Sequence, residues 1–232
     1  MAGLIAPHGG ELINRVVADA DRNGVAGSAE SLPKITLNTR EASDLEMISI
    51  GGFSPLTGFL GKADYASVVD RMHLDNGVPW TIPVTLSVDK SEADAVEKAG
   101  GAALYSEAGA LLGVLSEPEA YSYDKEHEAE KVFLTKEEAH PGVKSLYGQK
   151  DLLIGGSVQV LDTAEREIFE AEELPPVKSR AAFEAAGWKT SVAFQTRNPI
   201  HRAHEYIIKT ALEIVDGLFL HPLVGWTQPA KR

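Results

Sequence analysis

Seven polar side chains suited to holding an anion fall within ten consecutive residues of the sequence. They are Gln195, Thr196, Arg197, Asn198, His201, Arg202 and His204. An arginine guanidinium donates two parallel hydrogen bonds to an oxyanion, and amide, hydroxyl and imidazole groups add single donors. This concentration predicts a site that binds the phosphates of a nucleotide together with an oxyanion co-substrate.

The residues on either side predict the elements that position this turn. The short apolar run from Ser191 to Phe194 is typical of a strand covered on both faces. A helix is predicted from Pro199 to about Val215, with Asn198 as its N-cap and Pro199 in its first turn. The N-terminus of that helix would add unpaired N–H groups and the positive end of its dipole.

The helix and the residues after it predict a parallel sheet. His201 and His204, three residues apart, are expected on one face of the first helical turn. A strand from Gly217 to Val224 would complete a βαβ unit, and parallel sheets bind ligands beyond the carboxyl ends of their strands. The helix face packed on the sheet is predicted to consist of Ile207, Ile208, Ala211, Leu212 and Val215.

Each of these residues can also be interpreted as having a purely structural role. A single arginine near a helix start is usually a surface charge, and Asn198 can serve only as a cap. A histidine pair with this spacing can belong to a zinc site, for which His221 is a conceivable third ligand. Phosphate contacts fit the pair without a third ligand, so we predict no resident metal.

The sequence before residue 163 predicts a small, partly closed β-barrel with helical insertions, because short strands alternate with Gly and Pro turns. A turn is predicted at residues 21–24, and a change of pattern places a domain boundary within residues 163–176. The predicted strands are Leu32–Leu37, Val78–Val88, Ala102–Tyr105, Leu111–Leu115 and a hairpin-like pair within Leu152–Leu161 around Gly155 and Gly156. The predicted helices are Glu11–Ala20, Glu41–Ile50, Asp64–Met72 and Lys178–Ala186, the last followed by Gly187 as its C′ residue.

The stretch from Gly51 to Leu60 holds three glycines and a proline, so it must turn tightly. It lacks the strand, glycine loop and helix context of a P-loop or a dinucleotide fingerprint. We therefore interpret it as a packed structural loop.

Composition narrows the functional classes. A net charge of −12 and a pI near 5.0 argue against non-specific nucleic-acid binding, which needs a basic surface. The absence of cysteine excludes disulfides, thiolate metal sites and cysteine nucleophiles. Neither a signal peptide nor an apolar run long enough for a membrane span is expected, so a cytoplasmic location is predicted.

The string Gln195-Thr196-Arg197-Asn198-Pro199-x-His201-Arg202-Ala203-His204-Glu205 resembles the signature of the ATP sulfurylase (sulfate adenylyltransferase) family. Further stretches resemble the same family in the same order. They are Ser54-Pro55-Leu56-x-Gly58-Phe59, His140-Pro141-Gly142-Val143, Arg180-x-x-Phe183-x-x-x-Gly187-Trp188 and Leu220-His221-Pro222-Leu223-Val224-Gly225.

The resemblance implies that ATP and sulfate react to give adenosine 5′-phosphosulfate and pyrophosphate, with Mg²⁺ arriving with ATP. It implies Thr196, Arg197 and Asn198 as the catalytic set, and Gln195 and Arg197 as sulfate-binding residues. It also implies that Gln195, Asn198, His201 and His204 contact the ATP phosphates.

The resemblance also implies a fold: a PUA-like β-barrel over residues 1–168, then the first βαβ unit of a Rossmann-like nucleotidyltransferase domain over residues 169–232. In the family a glycine-rich nucleotide-binding segment follows, whereas this sequence ends at Arg232. We therefore expect a truncated catalytic domain that is inactive alone. The alternative is a non-catalytic anion-binding or interaction module; RNA binding by the barrel is disfavoured by the acidic charge. An uncovered sheet edge predicts a homo-oligomer.

Overall fold

The computed structural model describes residues 4–161 and 174–223, which divide into two compact units. One unit comprises residues 7–177, and the other comprises residues 178–232 together with residues 1–6. The predicted boundary between residues 168 and 169 lies outside the described residues. Among those described, no helix combines the length and apolar character needed to cross a membrane.

The larger unit is built on one mixed sheet in which the strands are ordered β1-β4-β5-β6-β2, with β3 also paired to β6. Only the β1–β4 pair is parallel, and the other pairs are antiparallel. The strands are β1 (Lys34–Leu37), β2 (Gly58–Phe59), β3 (Leu86–Val88), β4 (Gly101–Ser106), β5 (Leu111–Ser122) and β6 (Leu152–Val160).

Two helices in this unit begin at capping boxes that the sequence supplies. Asn38 and Asp89 each accept a hydrogen bond from the third residue of the helix, and Glu41 and Glu92 bond back to them. Such capping boxes satisfy backbone N–H groups that would otherwise have no partner. The helices are α1 (Arg22–Ala29), α2 (Thr39–Ser49), α3 (Lys62–Arg71), α4 (Lys90–Ala99), α5 (Lys125–Glu128), which continues as a π-helical turn (Ala129–Phe133), and α6 (Pro141–Tyr147).

The core of the unit lies between the sheet and these helices. Fully buried side chains come from strands and helices alike, and burial of each such Leu or Ile contributes about 1.5–3 kcal/mol. They include Ile35, Leu37, Leu45, Ile48, Leu86, Leu104, Leu115, Leu153 and Ile154.

Several sequence predictions for this unit were wrong. Residues 11–20 form no helix; instead α1 begins at Arg22, inside the predicted turn at residues 21–24. Of the strand predicted at Val78–Val88, only Leu86–Val88 forms. Gly155 and Gly156 do not mark a hairpin, because β6 runs through both.

The reason is close packing of the backbone. A Cβ on Gly155 would lie 2.5 Å from Gly61 Cα, and one on Gly58 would lie 1.8 Å from the Gly156 carbonyl oxygen. These glycines therefore allow β2 and its neighbouring chain to approach β6, rather than reversing the chain. The prediction of a packed loop at residues 51–60 was correct in its packing, since Leu56, Phe59 and Leu60 are buried, although Gly58 and Phe59 form β2.

The smaller unit contains α7 (Pro176–Ala185), β7 (Ser191–Thr196), α8 (Arg202–Leu212) and β8 (Gly217–Pro222). Strands β7 and β8 pair in parallel from Ser191 opposite Gly217 to Thr196 opposite Pro222, with α8 between them in the chain. This is the predicted βαβ unit. Gly187, at φ +70°, follows α7 in the left-handed conformation predicted for a C′ glycine.

Two contacts fix where β7 and β8 begin. The Asp216 carboxylate accepts hydrogen bonds from the Lys189 and Thr190 backbone N–H groups, each at 2.9 Å. The Trp188 ring packs on Gly217, where a Cβ would lie 2.1 Å from it. The strands are therefore aligned at their amino ends by a side-chain acceptor and by a ring that fits only glycine.

The smaller unit buries less than the sequence predicted. Burial alternates along β7, with Ser191, Ala193 and Gln195 exposed, so the prediction of a strand covered on both faces was wrong. On α8, Ile208 is buried, whereas Ile207 is 56% and Leu212 is 40% exposed. The described residues thus cover only part of the predicted apolar face of the helix.

Candidate functional site

The turn that was predicted to bind anions lies at the carboxyl end of β7, between Thr196 and the start of α8. The Thr196 hydroxyl accepts a hydrogen bond from the Asn198 N–H at 3.0 Å and donates one to the Asn198 carbonyl oxygen at 2.9 Å. Such local side-chain bonds compete with helical ones. They hold Asn198 in a turn that belongs to the strand end rather than to the helix.

The helix therefore begins later than the sequence predicted. His201, with extended backbone, is the N-cap, and Arg202 is the first helical residue. The His201 Nδ1 accepts a hydrogen bond from the Ala203 N–H at 3.3 Å. The predictions of Asn198 as N-cap and of Pro199 in the first helical turn were wrong, because the Thr196 side chain binds Asn198 and the imidazole caps the helix.

The two histidines are brought together as predicted, and more closely than their spacing alone requires. Their ring centroids are 3.8 Å apart with an interplanar angle of 27°. His204 also contacts the Phe194 ring at 5.4 Å and is partly buried, with a buried Nδ1 that has no hydrogen-bond partner among the described residues. The histidines form one stack that rests on the end of β7.

Gln195 lies on the other side of the sheet from this stack. Successive residues of a strand point to opposite faces, so Gln195 and Phe194 diverge. The strand register places Gln195 beside His221, whose ring stacks on Phe219 at 5.5 Å. The predicted site residues thus form two groups: Gln195 on one face, and the histidine stack on the other, with the turn between them.

Arg197 and Arg202 are exposed, and neither forms an ion pair with any described residue. The nearest acidic side chain in the sequence, Glu205, bonds instead to Lys209 at 2.6 Å. The hydrogen bond and charge of Lys209 lower the pKa of Glu205. The carboxylate of the first helical turn is therefore already paired, and both guanidinium groups remain available to an anion.

A metal site does not form from the predicted histidines. No group of three or more His, Asp or Glu side chains in residues 4–161 and 174–223 has an arrangement that could hold a metal ion. His221 belongs to the face that carries Gln195, whereas His204 packs against Phe194. The suggestion of His221 as a third ligand is therefore not supported.

Phe194 is the site residue that the sequence analysis missed as such. It was interpreted only as part of an apolar strand, but its ring supports His204. The available signal was an aromatic residue at the last position of the strand that faces the following helix. Leu223 adds a second unpredicted contact, since its N–H donates to the Thr196 carbonyl oxygen at 2.8 Å.

Comparison with known proteins gives a consistent result across the chain. The family model described as a PUA-like domain matches residues 5–163, and the model described as ATP-sulfurylase matches residues 171–231. Sulfate adenylyltransferases from Acaryochloris marina and Trichodesmium erythraeum are each 53% identical over 224 residues, and the one from Synechococcus elongatus is 51% identical. These matches cover 97% of this chain and 57–58% of the relatives, so the chain spans little more than half of their length.

Among solved structures, the hexameric APS kinase from Thiobacillus denitrificans matches with a TM-score of 0.72 and 28% identity. The match covers 97% of this chain and 41% of that protein. Nearly the whole fold of this chain therefore also occurs in a solved structure with a different name.

Proposed function

This chain belongs to the ATP-sulfurylase family, and we propose that its turn at residues 195–204 serves sulfate adenylyl transfer. In this reaction a sulfate oxygen attacks the α-phosphorus of ATP, adenosine 5′-phosphosulfate forms and pyrophosphate leaves. Sulfate carries no proton to be removed, so no general base is required. The protein must instead hold two anions in line and stabilise the charge that develops between them.

Sulfate is assigned to the side of the turn that carries Gln195 and Arg197. The guanidinium of Arg197 is exposed and has no ion-pair partner among the described residues. Its planar fork suits a tetrahedral oxyanion, and the Gln195 amide adds a single donor from the adjacent strand position. Gln195 is the penultimate residue of β7 and Arg197 directly follows the strand, so both lie at its carboxyl end, where parallel sheets bind ligands.

The phosphates of ATP are assigned to the side that carries His201 and His204, with Asn198 of the turn as an additional contact. Gln195, which lies on the opposite face of the sheet, would contact them around the end of β7. The N-terminus of α8 directs its dipole and backbone N–H groups to the same place. The leaving pyrophosphate would gain most from these donors. Thr196, Arg197 and Asn198 form the turn between the two anions, and we assign them the catalytic role.

Mg²⁺ is expected to arrive bound to ATP. The turn offers nitrogen and hydroxyl donors rather than the carboxylate oxygens that this ion prefers. Its residues therefore suit phosphate oxygens, with the ion held chiefly by the nucleotide.

We extend the proposal to the fold and the assembly. The larger unit is proposed to be a partly closed PUA-like β-barrel, and the smaller one the first βαβ unit of a Rossmann-like nucleotidyltransferase domain. A cytoplasmic homo-oligomer is the proposed working form. Support for an oligomer comes from the similarity to the hexameric APS kinase from Thiobacillus denitrificans. Light scattering of the purified chain tests the assembly.

The observation that carries the proposal is that Arg197 and Arg202, neither ion-paired with a described residue, neighbour the stacked histidines in the sequence at one strand end. Calorimetric titration of the 232-residue chain with sulfate and with MgATP tests it, together with an assay of adenosine phosphosulfate formation. Arg197→Ala is expected to abolish sulfate binding and to lower any turnover by about 10²–10³-fold, the usual cost of removing a donor to a developing charge. Lys178→Ala, which removes an exposed cation of the same unit, is the matched control. Equal behaviour of the two variants would refute the assignment.

The alternative is a non-catalytic anion-binding or interaction module derived from the family. It is favoured if the 232-residue chain by itself binds ATP tightly and forms no product, because a sulfurylase domain without the family's glycine-rich nucleotide-binding segment is expected to bind ATP weakly. This alternative is retained because the chain matches little more than half of the length of its relatives.

A further inference from the structure

His201 has a hydrogen bond that fixes where its proton lies. Its Nδ1 accepts from the Ala203 backbone N–H at 3.3 Å. A neutral imidazole has one donor and one acceptor nitrogen, and a doubly protonated ring has no acceptor. A ring that accepts at Nδ1 therefore carries its single proton at Nε2.

His204 reaches the same state by a different constraint. Its Nδ1 is buried and has no hydrogen-bond partner among the described residues. Orphaned N–H groups in protein interiors are rarer than orphaned acceptors. A proton at Nδ1 would create such a group, so the proton of His204 belongs at Nε2, on the other side of the ring.

The stack fixes the orientation of both rings. His201 and His204 lie 3.8 Å apart, and His204 contacts Phe194 at 5.4 Å. His201 is therefore held twice, by the cap and by its ring face. His204 is held between a ring from the helix cap and a ring from the strand.

We propose that the His201 imidazole caps α8 and, stacked with His204 and Phe194, holds both histidines as neutral Nε2–H donors to phosphate oxygens. The phosphate ligand rests on the proposed function. The positive charge of the site then comes from Arg197 and Arg202, and the histidines supply directed hydrogen bonds.

Nitrogen-15 NMR of the labelled 232-residue chain tests the ring states directly. At a pH where the imidazoles are neutral, both rings should show a protonated Nε2 and an unprotonated Nδ1. A coupling across the hydrogen bond should join the Ala203 amide nitrogen to His201 Nδ1. A proton at Nδ1 in either ring would overturn the proposal.

Matched variants separate the cap from the stack. His201→Asn keeps a capping acceptor without the ring, and His201→Ala lacks both. Exchange of the Ala203 amide should be roughly fivefold faster in the Ala variant and near normal in the Asn variant. In His201→Asn and in Phe194→Leu, His204 should lose its single tautomer. Retention of that tautomer in both variants would refute the stacking role.

Inorganic pyrophosphate is the probe for the ligand. It should shift the Nε2 signals of both rings in the unmodified chain and bind several-fold more weakly to His201→Asn. If the tautomers are as expected but pyrophosphate moves neither signal, the phosphate role fails and the proposed function fails with it. If pyrophosphate binds while a ring carries its proton at Nδ1, the proposed function stands and this inference fails.

Discussion

The two units differ in how they are stabilised. Nearly all buried apolar side chains of the described residues belong to the larger unit, whereas Ile208 is the one that residues 178–223 contribute. The smaller unit leaves Tyr206, Ile207 and Ile214 largely exposed. Its order rests instead on discrete contacts: the Asp216 carboxylate, the Trp188 ring on Gly217 and the side-chain bonds of the turn.

Charge separates the units as well. Residues 4–161 contain 24 acidic residues (Asp or Glu) and 13 basic residues (Lys or Arg). Residues 174–223 contain four acidic and six basic residues. The negative net charge of the chain is therefore carried by the larger unit. An overall acidic protein can still bind anions, because a few local cations act over the short distances that screening allows.

The difference suggests that the units divide stability from chemistry. A large apolar core gives the first unit independence from any one contact at its surface. The second unit exposes its polar turn and depends on a few specific bonds, as is usual where function is located at strand ends and loops. Substitutions should then act on one unit without greatly affecting the other.

The largest expected effect is in the core of the larger unit. Leu153→Ala removes a fully buried side chain of β6 and should destabilise that unit by about 2–5 kcal/mol. Hydrogen exchange read by mass spectrometry should show faster exchange across β5 and β6. If β7 and β8 lose protection to the same extent, the two units unfold together and the division is wrong.

Gly217→Ala tests the contact on which the smaller unit depends. The added methyl would overlap the Trp188 ring, and overpacking of this kind costs about 1–3 kcal/mol. Exchange should increase in β7 and β8 and remain unchanged in β6. Gly109→Ala is a control in the larger unit, since a Cβ there meets no atom within 4 Å, although its φ of +84° adds local strain.

The larger unit should show a pH dependence that comes from Glu128. Burial raises the pKa of this carboxyl group, although the Tyr65 hydroxyl, 2.7 Å away, bonds to it and opposes the shift. A raised pKa favours the folded state below the ordinary value, and this contribution is lost as pH rises through the folded-state pKa. Glu128→Gln should therefore reduce the pH dependence of the free energy of unfolding of this unit between about pH 4.5 and neutral. Urea denaturation at several pH values measures it, and an unchanged pH dependence would contradict the prediction.

The smallest effect is expected at Asp216, whose pKa is shifted in the direction opposite to that of Glu128. Backbone hydrogen bonds from Lys189 and Thr190 lower the pKa of this exposed carboxyl group. Its contribution is present above the ordinary pKa of Asp and is lost as pH falls through the lower folded-state value. Asp216→Asn should slightly weaken the hydrogen-exchange protection of β7 at neutral pH. The variant should show no further loss of that protection as the pH falls. A variant that still loses protection in acid would assign that loss to another group.

Much of the smaller unit could be predicted from local pattern. The βαβ order, the C′ glycine at position 187 and the proximity of His201 and His204 follow from periodicity and turn chemistry, and the structure agrees. The predicted helix start failed because Asn-Pro is a common helix opening, and nothing in the sequence indicates that the Thr196 hydroxyl bonds both backbone groups of Asn198. The roles of Gln195, Thr196, Arg197 and Asn198 in catalysis stay predictions.

Prediction of the larger unit was limited by long-range pairing. Alternation from Val78 to Val88 predicted a long strand, but only the last three residues find a partner strand. The double glycine at Gly155 and Gly156 resembled a turn because the approach of Gly61, nearly a hundred residues earlier, is invisible in a local window.

The sequence by itself determined the inventory of the site: which donors it holds, that they follow a strand, and which family they resemble. Those properties depend on residue type and on neighbours within a few positions. Only the tertiary structure decided that Gln195 and His204 lie on opposite faces of the sheet, that His201 caps the helix, and that Phe194 supports the stack. These outcomes depend on strand register and on the competition between side chains for the same backbone groups, and neither is set by residue types alone.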